Sequence, residues 1–94
     1  MTTDPGAQGR LDNYKRAALR WVNDQRRELG KPLLAELPLG DRMSNASCSL
    51  ARALDATVTT YFMFGADNEP VSLPPDVSAF VQQFDLHRYP ELEL

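Results

Sequence analysis

Apolar side chains recur at helical spacing along residues 11–29, and this pattern restricts the fold more than any other feature of the chain. The stripe consists of Leu11, Tyr14, Ala18, Trp21, Val22 and Leu29. Gly30 follows where a left-handed helix cap is expected, with Pro32 just beyond it. A helix over 11–29 with one buried face is therefore predicted. The polar residues 1–9 are expected to be a flexible lead, and residues 10–94 to form a single globular domain.

The rest of the chain predicts short helices, a β-hairpin and a second long amphipathic helix. In order, the expected elements are one or two helical turns at 33–37, a short helix at 47–54, strands at 57–64 and 70–73, and a helix that begins at Pro74. A hairpin alone is marginally stable in water, so its apolar face must pack on the helices. The side chains expected to supply most of the core are Trp21, Phe62, Phe64, Phe80 and Phe84. The predicted fold class is α+β, with two main amphipathic helices and one or two short helices packed on a β-hairpin.

The sequence contains no recognisable catalytic or cofactor-binding motif. It has no Gly-rich phosphate loop, no paired-carboxylate motif and no cluster of metal ligands. Cys48 lies near a predicted helix start, where a thiol can become nucleophilic, but a nucleophile also needs a base. Nothing in the spacing brings Cys48 to the single histidine, His87. We therefore expect packing and structural roles for these two residues, no enzymatic activity, and no cofactor or metal.

Charge is distributed unevenly along a chain whose net charge is −3. Residues 10–31 contain seven basic and three acidic side chains, whereas residues 65–94 contain six acidic side chains and one arginine. One end of the chain is therefore basic and the other acidic. Such polarity can steer a partner protein or a second copy of the same chain.

Two sets of side chains are candidates for binding a partner protein, and together they are Arg16, Arg20, Arg27, Tyr61 and Met63. The arginines share the side of the first predicted helix that lies opposite its apolar stripe. Tyr61 and Met63 fall on the strand face opposite Phe62 and Phe64, so they form an apolar patch unless that face is also covered. The favoured function is a non-enzymatic protein that binds another protein.

DNA binding is the alternative function, and a homodimeric structural module with no strong ligand is a third. Three helices followed by a hairpin is the order of a winged helix, whose third helix enters the major groove. The arginines that would serve DNA are Arg16, Arg20, Arg27 and Arg52. Against DNA, Arg52 is the one base in that third helix, and the candidate wing tip carries two acids.

The two ends of the chain carry the remaining expectations. Residues 89–94 alternate acidic and aliphatic side chains, and we expect this tail to dock on the domain's own core rather than in a partner's groove. The first nine residues lack the charged and apolar regions of a signal peptide. No apolar run approaches the ~20 residues that cross a bilayer. The expected location is the cytoplasm, with no membrane partner.

Several strings resemble small uncharacterised proteins of actinobacteria and their bacteriophages, and the similarity covers most of the chain after residue 10. The strings are Trp21-Val22-Asn23-x-x-Arg26, Leu37-Pro38-x-Gly40, Cys48-x-Leu50-Ala51-Arg52-Ala53-Leu54, Val77-x-x-Phe80-Val81-x-x-Phe84-Asp85 and Tyr89-Pro90-Glu91-Leu92. These proteins have no assigned activity or catalytic residues. What the resemblance implies is a setting, namely a phage or prophage accessory protein that binds and modulates a host protein in the host cytoplasm.

Overall fold

A computed structural model of the chain describes residues 5–65 and 69–94. The first helix, α1, spans Pro5–Glu28, so it begins within the segment that the sequence assigned to a flexible lead. Residues 1–4 of that segment lie outside the described residues. The expected helix cap is present, because Gly30 has a left-handed backbone with a φ of 72°. The N–H of Lys31 closes the cap by donating to the Arg26 carbonyl across 2.9 Å.

Residues 31–48 contain no helix, which corrects the prediction of helical turns at 33–37. The side-chain amide of Asn23 on α1 explains the difference. It donates to the Leu34 carbonyl across 2.9 Å and accepts the Leu34 N–H across 2.8 Å, so the backbone groups that a helical turn would use are already paired. The three helices that precede the hairpin of a winged helix are therefore not found among the described residues.

The second helix, α2, spans Ser49–Leu54 and confirms the short helix expected in this region. Cys48 is its N-cap, and the Cys48 Sγ accepts the Ala51 N–H across 3.4 Å. Arg26 of α1 donates to the carbonyls of Pro32 and Ala53, at 2.7 and 2.8 Å. This one guanidinium therefore ties α1 to the segment that follows it and to the last turn of α2.

Three short strands form one antiparallel sheet in the order β1-β2-β3, and they are Thr57–Val58, Phe62–Phe64 and Pro70–Ser72. The predicted hairpin is present as β2 and β3, with Met63 opposite Val71. The single strand expected at 57–64 is divided by a turn, because the N–H and hydroxyl of Thr59 both bond to Phe62 backbone groups. Residues 66–68 of the expected hairpin turn lie outside the described residues.

The third helix, α3, spans Pro75–Asp85 and packs along α1. Ala18 and Val22 of α1 are 0% exposed, and Phe80 and Phe84 of α3 are each 1% exposed. A 3-10 helix at Pro90–Leu92 carries the tail back over this core. The tail docks on its own domain as expected, since Tyr89 and Leu92 are 2% and 5% exposed and the Gly40 N–H donates to the Leu92 carbonyl.

The fold is an α+β arrangement, but its core differs from the expected set in two of five aromatic side chains. Phe80 and Phe84 are buried and Trp21 packs against the core from its edge. Phe62 and Phe64 are not core residues, because they lie on the outer face of the sheet. Smaller side chains from α2 and β1 take their place, among them Leu50 and Val58.

Candidate interaction surface

The two faces of β2 are reversed relative to the prediction. Val58 on β1 is 1% exposed, and it lies directly opposite Met63 on β2. Because directly opposed residues point to the same side of a sheet, Met63 faces inward and packs against the core. Its neighbours Phe62 and Phe64 therefore face outward. The prediction that these two phenylalanines pack in the core is wrong, since it assigned the correct alternation to the wrong faces.

The β2–β3 hairpin exposes aromatic and aliphatic side chains to solvent. Tyr61 is 61% exposed, Phe62 42% and Val71 40%, while Phe64 is half-buried. The Phe62 and Phe64 rings lie 6.5 Å apart between centroids, with their planes tilted by 48°. We call Tyr61, Phe62 and Phe64 the hairpin surface. Val71 is paired directly opposite the inward-facing Met63, so it belongs to the inner face of the hairpin.

A groove lies under the hairpin, between its inner face and the C-terminal ends of α1 and α2. Its floor is apolar and is formed mainly by Leu29, Leu54, Ala56, Met63 and Val71. Its volume is about 620 Å³, within the range of pockets that hold ligands. The charged residues that line it are Glu28, Lys31, Asp55 and Glu69. We call this cleft the hairpin groove.

The three arginines proposed from the sequence form a stripe on the exposed side of α1. Arg16, Arg20 and Arg27 are all exposed, and Arg27 pairs with Asp24 across 3.3 Å. Among the described residues, Arg16 and Arg20 make no ion pair. The three arginines share one side of α1, where Arg20 lies beside the start of α3, whereas Arg52 lies on α2. The structure thus groups the three α1 arginines and keeps Arg52 apart from them.

Cys48 and His87 are held by separate partners. Cys48 is 4% exposed, and burial raises the pKa of its thiol above the ordinary value, which disfavours the nucleophilic thiolate. The His87 side chain is 62% exposed and contacts the Glu93 carboxylate, which also pairs with Arg42 across 3.2 Å. No hydrogen bond joins Cys48 to His87 among the described residues.

No group of three or more potential metal ligands occurs in residues 5–65 and 69–94. Within the same residues, the helices are all too short or too polar to span a bilayer. Comparison with protein-family models, with curated proteins and with solved structures finds no match to this chain.

Sequence reasoning found Tyr61 on the hairpin surface and Met63, which lines the hairpin groove, but missed Phe62, Phe64 and the other groove residues. The Phe-Met-Phe alternation did signal two different strand faces. Val71 gave a weaker signal, as one apolar residue between Pro70 and Ser72. No sequence signal placed Leu29 or Asp55 beside the hairpin, because both contacts depend on the angle at which the helices meet the sheet.

Proposed function

We propose that this protein is a non-enzymatic interaction module that binds another protein through the hairpin surface. The observation that carries the proposal is a run of neighbouring aromatic side chains on the hairpin, with Tyr61 and Phe62 exposed and Phe64 half-buried. Aromatic side chains dominate the binding energy of protein interfaces because they bury large areas with few rotatable bonds. Scattered apolar residues are normal on a surface, but a contiguous aromatic group marks a contact site.

The hairpin surface suits a partner because binding there requires no opening of the core. Covering a Phe or Tyr side chain is worth roughly 2 kcal/mol relative to leaving it in water. The Phe62–Phe64 pair is already ordered by strand pairing with Ser72 and Pro70, so little conformational entropy remains to be lost on binding. Preorganised aromatic anchors of this kind give specific contacts of modest size.

The proposed partner is a host protein in an actinobacterial cytoplasm, with this chain as a phage or prophage accessory protein. This part of the proposal rests on the resemblance of its packing and turn strings to small proteins of actinobacteria and their phages. The buried thiol of Cys48 and the separate placement of His87 support a function without covalent chemistry.

The test is affinity capture of the tagged protein from nuclease-treated actinobacterial lysate, with Phe62→Ser as the variant. Leu33→Ser is the matched control, because Leu33 is 52% exposed and lies in the segment after α1, away from the hairpin. Circular dichroism must show that both variants remain folded. Light scattering across a dilution series measures self-association in parallel.

We expect the wild type and Leu33→Ser to retain the same protein and Phe62→Ser to lose it. A protein retained equally by all three would place the contact elsewhere and overturn the proposal. A mass that doubles with concentration for the wild type but not for Phe62→Ser would assign the hairpin surface to a second copy of this chain instead.

One observation favours DNA as a second candidate, namely that Arg16 and Arg20 are exposed and form no ion pair among the described residues. Phosphate binding by this stripe would weaken steeply between low and physiological salt. Fluorescence polarisation with labelled duplex DNA tests it, using a double Arg16→Glu/Arg20→Glu variant. Affinity that depends on neither salt nor these arginines would dismiss nucleic acid.

A further inference from the structure

The hairpin groove differs in the balance of its charges from a groove of similar volume between α1 and residues 35–39. Lys15, Arg16, Glu36 and Glu91 line the groove between α1 and residues 35–39, and there Lys15 pairs with Glu91 across 3.3 Å. Because its two basic and two acidic side chains balance, the charge of this groove favours neither a basic nor an acidic occupant. The hairpin groove has three acidic side chains and one basic side chain around an apolar floor, so its charge favours a basic occupant.

We infer that the hairpin groove binds a short segment of the partner protein that combines apolar side chains with lysine or arginine. The inference rests on the proposed function and names the chemistry of the partner. The apolar floor, with Leu29 62% exposed and Val71 40% exposed, takes the aliphatic or aromatic anchors of that segment. The acidic rim takes its basic side chains.

Two of the rim carboxylates lie at the C-terminal ends of helices. Glu28 is the last residue of α1 and Asp55 caps the C-terminus of α2, and both line the cleft. The carbonyl-rich end of a helix carries a partial negative charge, which stabilises a nearby cation. At α2 this partial charge is offset by the Arg26 guanidinium, which donates to the Ala53 carbonyl. The rim carboxylates therefore set the sign of the potential, and Lys31 is the single basic side chain among the residues that line the groove.

A second copy of this chain offers no matching segment on its most basic element. The exposed side of α1 carries the arginine stripe, but the apolar side chains of the helix are turned into the core, where Ala18 and Val22 are fully buried. A segment that fills the groove needs both kinds of side chain on one face. This requirement favours a different protein as the occupant.

The experiment measures binding of two fluorescein-labelled amphipathic peptides of about four helical turns, one of leucine and lysine and one of leucine and glutamate. Three variants accompany the wild type. Glu28→Lys/Asp55→Asn removes rim charge, and asparagine is compatible with the left-handed backbone of Asp55. Glu36→Lys/Asp41→Asn makes the same change of charge outside the groove. Val71→Thr keeps the shape of a floor side chain and replaces one of its methyl groups with a hydroxyl.

We expect the leucine–lysine peptide to bind the wild type at least about tenfold more tightly than the leucine–glutamate peptide, because only the first complements the rim. The rim variant should lose that preference, the charge-matched control should keep it, and Val71→Thr should weaken both peptides. Equal affinity for the two peptides, no binding at about millimolar concentration, or equal loss in the rim variant and its control would each overturn the inference.

The capture experiment distinguishes failure of the proposal for the groove from failure of the proposed function. If Phe62→Ser abolishes capture of a host protein while Glu28→Lys/Asp55→Asn leaves that capture unchanged, the hairpin surface binds without the groove. If both variants abolish capture and the charge-matched control does not, the partner occupies both sides of the hairpin.

Discussion

Aromatic side chains are used in opposite ways in the helical half of the molecule and in its hairpin. Between α1 and α3, Phe80 is 1% exposed, and its ring centroid lies 6.1 Å from that of Phe84 and 4.8 Å from that of Tyr89. On the hairpin, Phe62 is 42% exposed and its ring neighbour is Phe64 of the same strand. The first group closes a core, whereas the second faces solvent.

This difference separates stability from binding. The hairpin joins the helices through the inward side chain of Met63, the buried Leu73 and a hydrogen bond from Ser78 Oγ to the Thr60 carbonyl at 2.7 Å. Substitutions on its outer face should therefore change binding and leave the helical core intact. The four predictions below test that separation, from the largest expected effect to the smallest.

Phe80→Ala should destabilise the protein by about 3–5 kcal/mol, because it leaves a cavity among fully buried rings. That loss is comparable to the whole stability of a small domain, so the variant should show no cooperative unfolding transition. Phe62→Ala removes the same atoms from the hairpin and should cost about 1 kcal/mol or less. Urea unfolding followed by circular dichroism measures both, and equal losses would refute the separation.

Gly40→Ala should cost about 3 kcal/mol through backbone overlap in the helical half. A Cβ at this position would lie 2.3 Å from the Ser49 nitrogen and 2.8 Å from the Ser47 carbonyl oxygen, and neither atom is the end of a flexible side chain. Gly9→Ala is the matched control, since its Cβ meets nothing within 4 Å and alanine favours the helix. Thermal unfolding should place the Gly40 variant well below the wild type and the Gly9 variant at or above it.

The stability of the helical half should fall as pH rises above about 10, the ordinary pKa of tyrosine. Burial, helped by the nearby Glu91 and Asp12 carboxylates, raises the pKa of Tyr89, whose hydroxyl donates to the Leu11 carbonyl across 2.6 Å. The unfolded chain then releases the phenol proton first, so the unfolding free energy declines by up to about 1.4 kcal/mol per pH unit. In urea titrations at alkaline pH, the unfolding free energy of Tyr89→Phe should decline less steeply with pH than that of the wild type, because the phenol is absent. An unchanged slope would contradict the assignment.

Ser78→Ala should have the smallest effect on global stability, about 1 kcal/mol, because it removes one buried hydrogen bond to Thr60. Its effect on the hairpin should be selective. Amide hydrogen exchange at Met63 and Val71 should accelerate while exchange at Ala18 and Val22 changes by no more than the global loss. Uniform acceleration throughout the chain would mean that the two halves unfold as one unit.

The elements with strong local signals were predictable from sequence. Helical periodicity and Gly30 located α1 and its end, and proline in the first turn located the start of α3. The docked tail followed from its alternation of acidic and aliphatic residues. For the two helices the deciding interactions lie within a few residues of one another, so a short window of sequence contains them. The tail signals its docking locally, although its partners, Leu11 and Gly40, are distant in the chain.

The features that escaped prediction depend on residues distant in the chain. Alternation shows that Phe62 and Phe64 share a face, but which face is buried depends on Val58, across the turn at Thr59. Helical composition at 33–37 is overridden by the Asn23 side chain, eleven residues before Leu34. The hairpin groove depends on the placement of two helix ends against the sheet, and no periodic pattern encodes that placement.

The thiol of Cys48, which caps the N-terminus of α2, can be used to detect opening of that helix. Cys48 is the single cysteine of the sequence, and its Sγ is buried against the first turn of α2. An aromatic disulfide reagent can therefore react only with molecules in which that turn has come apart. Because the reaction of an exposed thiol is easily followed by absorbance, the labelling rate relative to that of the unfolded chain reports the population of opened molecules when reclosing is fast. No tag or engineered probe is needed to obtain it.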